Sequence, residues 1–91
     1  MRVFQRFPLV RVIAVAPREG YRLWLRFSDQ TERELDLWPF IAKGAIFAPV
    51  RDLHVFRQVQ VGTASITWPN GADIDPLILR YYPDLQPADW E

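Results

Sequence analysis

The residue pattern predicts an α+β fold: one small domain of antiparallel β-hairpins with a short C-terminal helix. Three observations carry that prediction. Tyr21 to Phe27 alternates apolar and polar side chains and is answered, after a turn, by the return run Thr31 to Leu37. Two further short apolar runs flank Gly62-Thr63. Asp75-Pro76 then opens a helical stretch, because aspartate caps a first turn and proline's fixed φ suits the first helical position. Hairpins followed by a helix, without strand–helix alternation, argue for α+β.

Leu9 to Ala16 is dense in Val, Ile and Ala and reads as a strand covered on both faces for part of its length. Pro17 to Gly20 is turn chemistry. In the next strand Tyr21, Leu23, Leu25 and Phe27 face one way, and Arg22, Trp24 and Arg26 the other. A two-residue loop at Asp29-Gln30 would set Leu25 against Glu34 and Leu23 against Asp36, mixing core and solvent faces. A three-residue loop, Ser28 to Gln30, sets Leu23 against Leu35, Tyr21 against Leu37, Arg26 against Glu32 and Arg22 against Asp36. Register follows the hydrophobic pattern, so the second is predicted. Such a loop needs φ > 0 at its last residue. Here that residue is Gln30, at a cost of about 1 kcal/mol relative to glycine.

Trp38-Pro39 stops the strand, and Phe40 to Gly44 reads as one irregular turn. Pro49 to Phe56 reads as a short helix with Leu53 and Phe56 on one face. Arg57 to Val61 and Ala64 to Trp68 read as two strands around Gly62-Thr63. Pro69-Asn70-Gly71 is a turn. The helix runs from Pro76 to about Tyr82 and stops before Pro83. Residues 83 to 91, with two prolines and three acids, read as an extended tail on a core of about 9 to 82. Leu23, Leu25, Leu35, Ile66 and Trp68 are expected in that core.

Composition narrows the function. The chain has 91 residues, 49% hydrophobic, with 11 bases, 11 acids and no cysteine. That is room for one domain, with no disulfide, no thiolate ligand and no thiol nucleophile. The N-terminus lacks a continuous apolar stretch, because Arg2, Arg6 and Arg11 interrupt it. No signal peptide or membrane span is read, so a cytoplasmic location is expected. Residues 1 to 45 hold eight bases and five acids, and residues 46 to 91 three bases and six acids. Ten of the bases are arginine, which suits nucleic-acid or carboxylate recognition and equally suits a GC-rich genome. The second explanation is preferred.

Catalytic constellations are sparse. His54 is the sole histidine, and the only serines are Ser28 and Ser65, neither in a nucleophile elbow. His54 reads as a partly exposed polar residue. Asn70, Asp73 and Asp75 offer oxygens at near-alternate positions, as in a calcium loop. The glycine is misplaced, however, and no bidentate glutamate follows. Asp75 has sufficient work as a helix cap, and Asp73 can bond backbone in the turn. No metal and no cofactor is expected. Carboxylate chemistry at Asp73 and Asp75 is the low-ranked exception to a non-enzymatic reading. Arg22, Trp24 and Arg26 interleave charge with an aromatic ring, which suits single-stranded nucleic acid. Cross-strand pairing with Asp36 and Glu32 would neutralise them, and that reading is preferred. The glycines at 20, 44, 62 and 71 build no phosphate-cradling loop.

The stretch Trp68-Pro69-Asn70-Gly71-Ala72-Asp73-Ile74-Asp75-Pro76 resembles the closing motif of a bacterial family, domain of unknown function 2442. Other segments agree with that family's pattern: Val15-Ala16-Pro17, Leu23 to Phe27 with Ser28, Asp29 and Gln30, Asp36-Leu37, and Phe56 ahead of Val59. The resemblance covers about residues 9 to 82. Gln30 departs from the family's usual glycine, which bears on the exact turn geometry. The resemblance implies a small protein that often stands alone. Some similar proteins carry a helix-turn-helix DNA-binding domain, which is not expected here. Others are encoded beside another short family of unknown function, number 4160, in what resemble toxin–antitoxin pairs. It implies partner binding and transfers no catalytic residue.

The expected function is therefore a non-catalytic protein–protein interaction module, antitoxin-like or an accessory subunit. Its expected partner is a protein, such as a small toxin-like protein encoded nearby, and not a membrane. Arg22, Trp24, Arg26, Trp38 and Trp90 form the candidate interaction surface, since tryptophan and arginine are common interface anchors. Trp68, Pro69, Asn70, Gly71, Asp73, Asp75 and Pro76 are read as a structural motif. The alternative is a nucleic-acid-binding or regulatory accessory module using the N-terminal arginines.

Overall fold

The structure, a computed structural model, describes residues 7 to 85. Strands β1 (Val12–Pro17), β2 (Arg22–Phe27) and β3 (Glu32–Asp36) form an antiparallel sheet in the order β1-β2-β3. Helical turn α1 (Trp38–Ile41), two 3₁₀ turns (Ala45–Phe47, Pro49–Arg51) and helical turn α2 (Leu53–Phe56) lead to a second, two-stranded sheet. That sheet pairs β4 (Gln60–Val61) with β5 (Ile66–Thr67), and helix α3 (Pro76–Tyr81) follows. The α+β class is as the sequence predicts.

The first hairpin has the predicted register: Leu23 lies opposite Leu35, Arg26 opposite Glu32 and Arg22 opposite Asp36. Gln30 closes its loop at φ 74°, the only non-glycine residue with positive φ among the described residues. Leu23, Leu25, Leu35, Ile66 and Trp68 are all buried, in one hydrophobic cluster. Asp75 caps α3, accepting a hydrogen bond from the Leu77 N–H at 2.8 Å.

Other expectations need correction. β1 begins at Val12 rather than Leu9 and is not covered on both faces: Leu9 is 75% and Ile13 42% exposed. The strand lies at the sheet edge, and its register with β2 slips between Val12 and Ala14, a bulge that turns Ile13 out of the ladder. Trp38-Pro39 does more than stop β3; it opens the helical turn α1 with proline in the first turn. The single helix expected over Pro49 to Phe56 is two pieces. Asp52 sits between them in extended backbone and its side chain accepts from the His54 N–H, so it starts a new turn. Leu53 consequently stands at the beginning of α2, 44% exposed, rather than beside Phe56 in the core.

The second hairpin is shorter than expected. Val61 pairs with Ile66, not with a residue near Ala64, so the loop runs from Gly62 to Ser65. The Gly62 N–H closes the loop on Ser65 O, while Ala64 O accepts from the Val12 N–H and the Ser65 hydroxyl donates to Ile74 O, both outside the hairpin. Arg57 to Val59 turn instead of extending, with the Val59 N–H bonded to Phe56 O. The core also reaches beyond the expected limits: Phe7 and Leu85 are both buried. The part of the predicted tail beyond residue 85 lies outside the described residues.

Candidate functional site

The outer face of the three-stranded sheet is built by the even-numbered positions of β2 and β3. Alternation sends Leu23, Leu25 and Phe27 inward, so Arg22, Trp24 and Arg26 project outward beside Glu32 and Glu34. The face is wired more closely than simple cross-strand pairing predicts. Arg22 reaches diagonally to Glu34, 2.7 Å, and not to Asp36, which it faces in the register. Asp36 is occupied: its carboxylate accepts from the Trp38 N–H at 3.0 Å and holds the start of α1. Arg18 approaches the other oxygen of Glu34 at 3.4 Å and lies over the Trp24 ring, 5.8 Å from its centre. The Trp24 indole N–H donates to Glu32 at 3.1 Å, and Arg26 lies 3.7 Å from the second Glu32 oxygen. Hydrogen bonding from Arg22, then the charges of Arg22 and Arg18, outweigh desolvation and hold the Glu34 carboxyl below its ordinary range.

Trp38 does not join this face. Its ring packs on Tyr21, centroids 5.0 Å apart, and Tyr21 in turn packs edge-on against Phe56. Trp38 is nonetheless 42% exposed, at the end of the core beside α1. Trp90 lies outside the described residues.

The motif from Trp68 to Pro76 is a frame. Trp68 is buried, donates its indole N–H to Phe56 O at 2.9 Å and packs against the rings of Phe47 and Phe56. Pro69-Asn70-Gly71 makes the turn, with Gly71 at φ 88° and its N–H bonded to Trp68 O. Asn70, rather than Asp73, bonds backbone there: its oxygen accepts from the Ala72 N–H and its amide donates to Ile46 O, 2.8 Å. Asp73 contributes a backbone bridge to Thr67. Asp73 and Asp75 both border an open cleft of about 490 Å³ between the Gly62–Thr67 segment and the start of α3. Asp75 is committed to its cap. His54 is exposed on α2 and does not line that cleft. Among the described residues, no group of three or more His, Cys, Asp or Glu side chains could hold a metal ion.

One important residue went unread in the sequence. Arg33 sits opposite Leu25, at a position whose neighbours in the alternation point to the core. Its guanidinium donates from one nitrogen to the carbonyls of Leu79, Arg80 and Tyr82, at 2.8 to 3.1 Å, and so closes the C-terminal end of α3. Burial, assisted by the charge of Arg80 and opposed by Asp84, pulls its pKa down from the usual arginine value. The signal was an arginine at an inward position, which demands buried acceptors. Nearby, Arg80 binds Asp29 at 3.1 Å and ties α3 to the first hairpin's loop. The Asp29 carboxyl lies below its ordinary range, chiefly because the Thr31 hydroxyl donates to it.

A family model described as "Protein of unknown function (DUF2442)" matches residues 12–82, from the first residue of β1 to the residue after α3. Neither the curated proteins nor the solved structures contain a match.

Proposed function

We infer that this chain, which belongs to the DUF2442 family of proteins of unknown function, is a non-catalytic protein–protein interaction module acting in the cytoplasm. It serves as an antitoxin-like protein for a small toxin-like partner encoded nearby, or as an accessory subunit. The observation that carries this reading is the charge-balanced outer face of the sheet. Arg18, Arg22 and Arg26 are ion-paired with Glu32 and Glu34 around Trp24. A surface for phosphate backbone needs unneutralised bases that can release counterions. A protein interface favours arginine and tryptophan with complementary charge around them. No helix of the described residues is long and apolar enough to cross a membrane.

The test is native purification of the tagged protein, with the bound material identified and release followed against salt. The expected result is a protein that stays bound in moderate salt. Recovery of nucleic acid alone, released with a steep logarithmic salt dependence, would replace this reading with a nucleic-acid-binding module.

A further inference from the structure

We propose that the free edge of β3 is a strand-addition site that takes an extended segment of a partner protein, with lysine or arginine at alternate positions. The proposal rests on the interaction-module reading and names its surface. The bonds from the Phe27 N–H to Thr31 O and from the Leu37 N–H to Tyr21 O bracket β3. They fix Thr31, Arg33, Leu35 and Leu37 as the residues whose backbone groups face β2. Glu32, Glu34 and Asp36 therefore turn their N–H and C=O groups away from the sheet. Among the described residues no backbone or side-chain group bonds those outward groups.

The opposite edge of the same sheet is closed to such pairing. β1 carries the bulge at Ile13, lacks an N–H at Pro17, and gives its Val12 N–H to Ala64 O at 3.0 Å. Bulges, prolines and covering loops are how edges are blocked. β3 has none of these; its protection is charge, from Glu32, Glu34 and Asp36 on the outer face and Arg33 on the inner one. That charge repels a like strand and leaves the edge open to one of opposite charge.

Charge selects the occupant. The outward backbone positions of β3 carry their side chains on the outer face, and all three are acids. A second copy docked antiparallel would set Glu34 against its own counterpart and Glu32 against Asp36, and like charges directly opposite are destabilising. A strand with bases at alternate positions would instead meet carboxylates that can each accept a further bond besides those from Arg18, Arg22, Arg26, the Trp24 indole and the Trp38 N–H. Its intervening side chains would face the Arg33 and Leu35 side. There a cleft of about 290 Å³, lined in part by Arg33, Arg80, Tyr81, Tyr82 and Asp84, opens beside the start of β3. Valine at those positions is chosen for its strand propensity.

The test uses a synthetic peptide alternating lysine and valine, its glutamate-for-lysine counterpart, and the isotope-labelled full chain, read by amide NMR and hydrogen exchange. The expected result is that the basic peptide shifts and protects the amides of Glu32, Glu34 and Asp36, while the acidic peptide does not. Glu34→Pro should weaken the basic peptide at least about tenfold by removing one outward donor together with the central carboxylate, and Glu34→Gln separates the two. The melting temperature of Glu34→Pro should fall only modestly, since proline at an outward edge position breaks no ladder bond and the ion pairs lost with Glu34 are surface pairs. Glu34→Gln, which keeps the donor, should retain amide protection and lose part of the salt dependence. Perturbation confined to other residues, or equal binding of both peptides, would overturn the proposal. If native purification yields a protein partner whose binding is indifferent to Glu34→Pro, the edge proposal fails while the interaction reading stands. If native purification yields no protein, the interaction reading itself fails.

Discussion

The two hairpins of this chain are held in different ways. The β2–β3 hairpin supplies its own order: five consecutive register pairs, an apolar inner face and a three-residue loop. The β4–β5 hairpin has two register pairs and exposed β4 residues, and it depends on what surrounds it. Its loop is bonded to β1 through Ala64 and to the motif through Ser65, and β5 leads into buried Trp68. A hairpin that satisfies its own backbone and buries its own face leaves its outer face and edge available for a partner. A hairpin suspended from neighbours spends its polar groups on the fold.

Four substitutions and a pH series sharpen that contrast, beginning with the greatest effect. Trp68→Ala removes the anchor of the dependent hairpin, and a buried tryptophan truncated to alanine costs roughly 3–5 kcal/mol. For a domain of this size that approaches total stability, so a denaturant melt should show a largely unfolded protein. Arg33→Ala should cost about 2 kcal/mol, since hydrogen bonds from a charged donor are worth roughly 1.5–3 kcal/mol. Exchange should rise first at the Tyr82 and Leu85 amides, which bond to Ile78 O and Tyr81 O at that helix end. Asp75→Ala should lower stability by about 1 kcal/mol through loss of the cap, and Asp75→Ser or Asp75→Asn should restore most of it. Thermal unfolding of the three variants beside the parent measures this.

Gln30→Gly acts in the opposite direction. At φ 74° glycine relieves strain of roughly 1 kcal/mol, partly offset by the greater freedom glycine has when unfolded, so a gain of a few tenths is expected by chemical denaturation. The pH dependence is the smallest effect and belongs to the self-ordered hairpin. Asp29 and Glu34 both have folded-state pKa values below their ordinary ones. Their stabilisation is therefore fully present above roughly pH 4, the ordinary carboxylate range, and is lost as pH falls through the lowered folded values. Asp29→Asn should flatten the acid limb of a stability-versus-pH curve by lowering the neutral value towards the acid one, since the amide matches the protonated carboxyl in charge.

What could be read from the residues follows the same division. The β2–β3 register was legible because slipping it by one residue would exchange Leu23 and Leu35 for charged partners. Asp75-Pro76 was legible because cap and proline act locally. The β4–β5 loop was not, since its length is set by Val12 and Ile74, residues far away in sequence that accept or donate its bonds. The break at Asp52 was missed because the apolar spacing of Leu53 and Phe56 suggests a continued helix, whereas a side-chain bond to the His54 N–H starts a new one. On the candidate face, the residues were legible and the wiring was not. Glu34 gathers Arg18 and Arg22 because Asp36 is already holding the start of α1.

The most direct measurement compares how much native protein partner is recovered on the parent, on Asp75→Ser and on Arg22→Ala/Trp24→Ala, each confirmed folded by its melt. Equal recovery on the parent and Asp75→Ser, with clear loss on Arg22→Ala/Trp24→Ala, is the predicted result. It would place recognition on the self-ordered hairpin and leave the motif a structural frame. Recovery lost on folded Asp75→Ser and kept on Arg22→Ala/Trp24→Ala would contradict the account and make the Asp73–Asp75 cleft the functional surface.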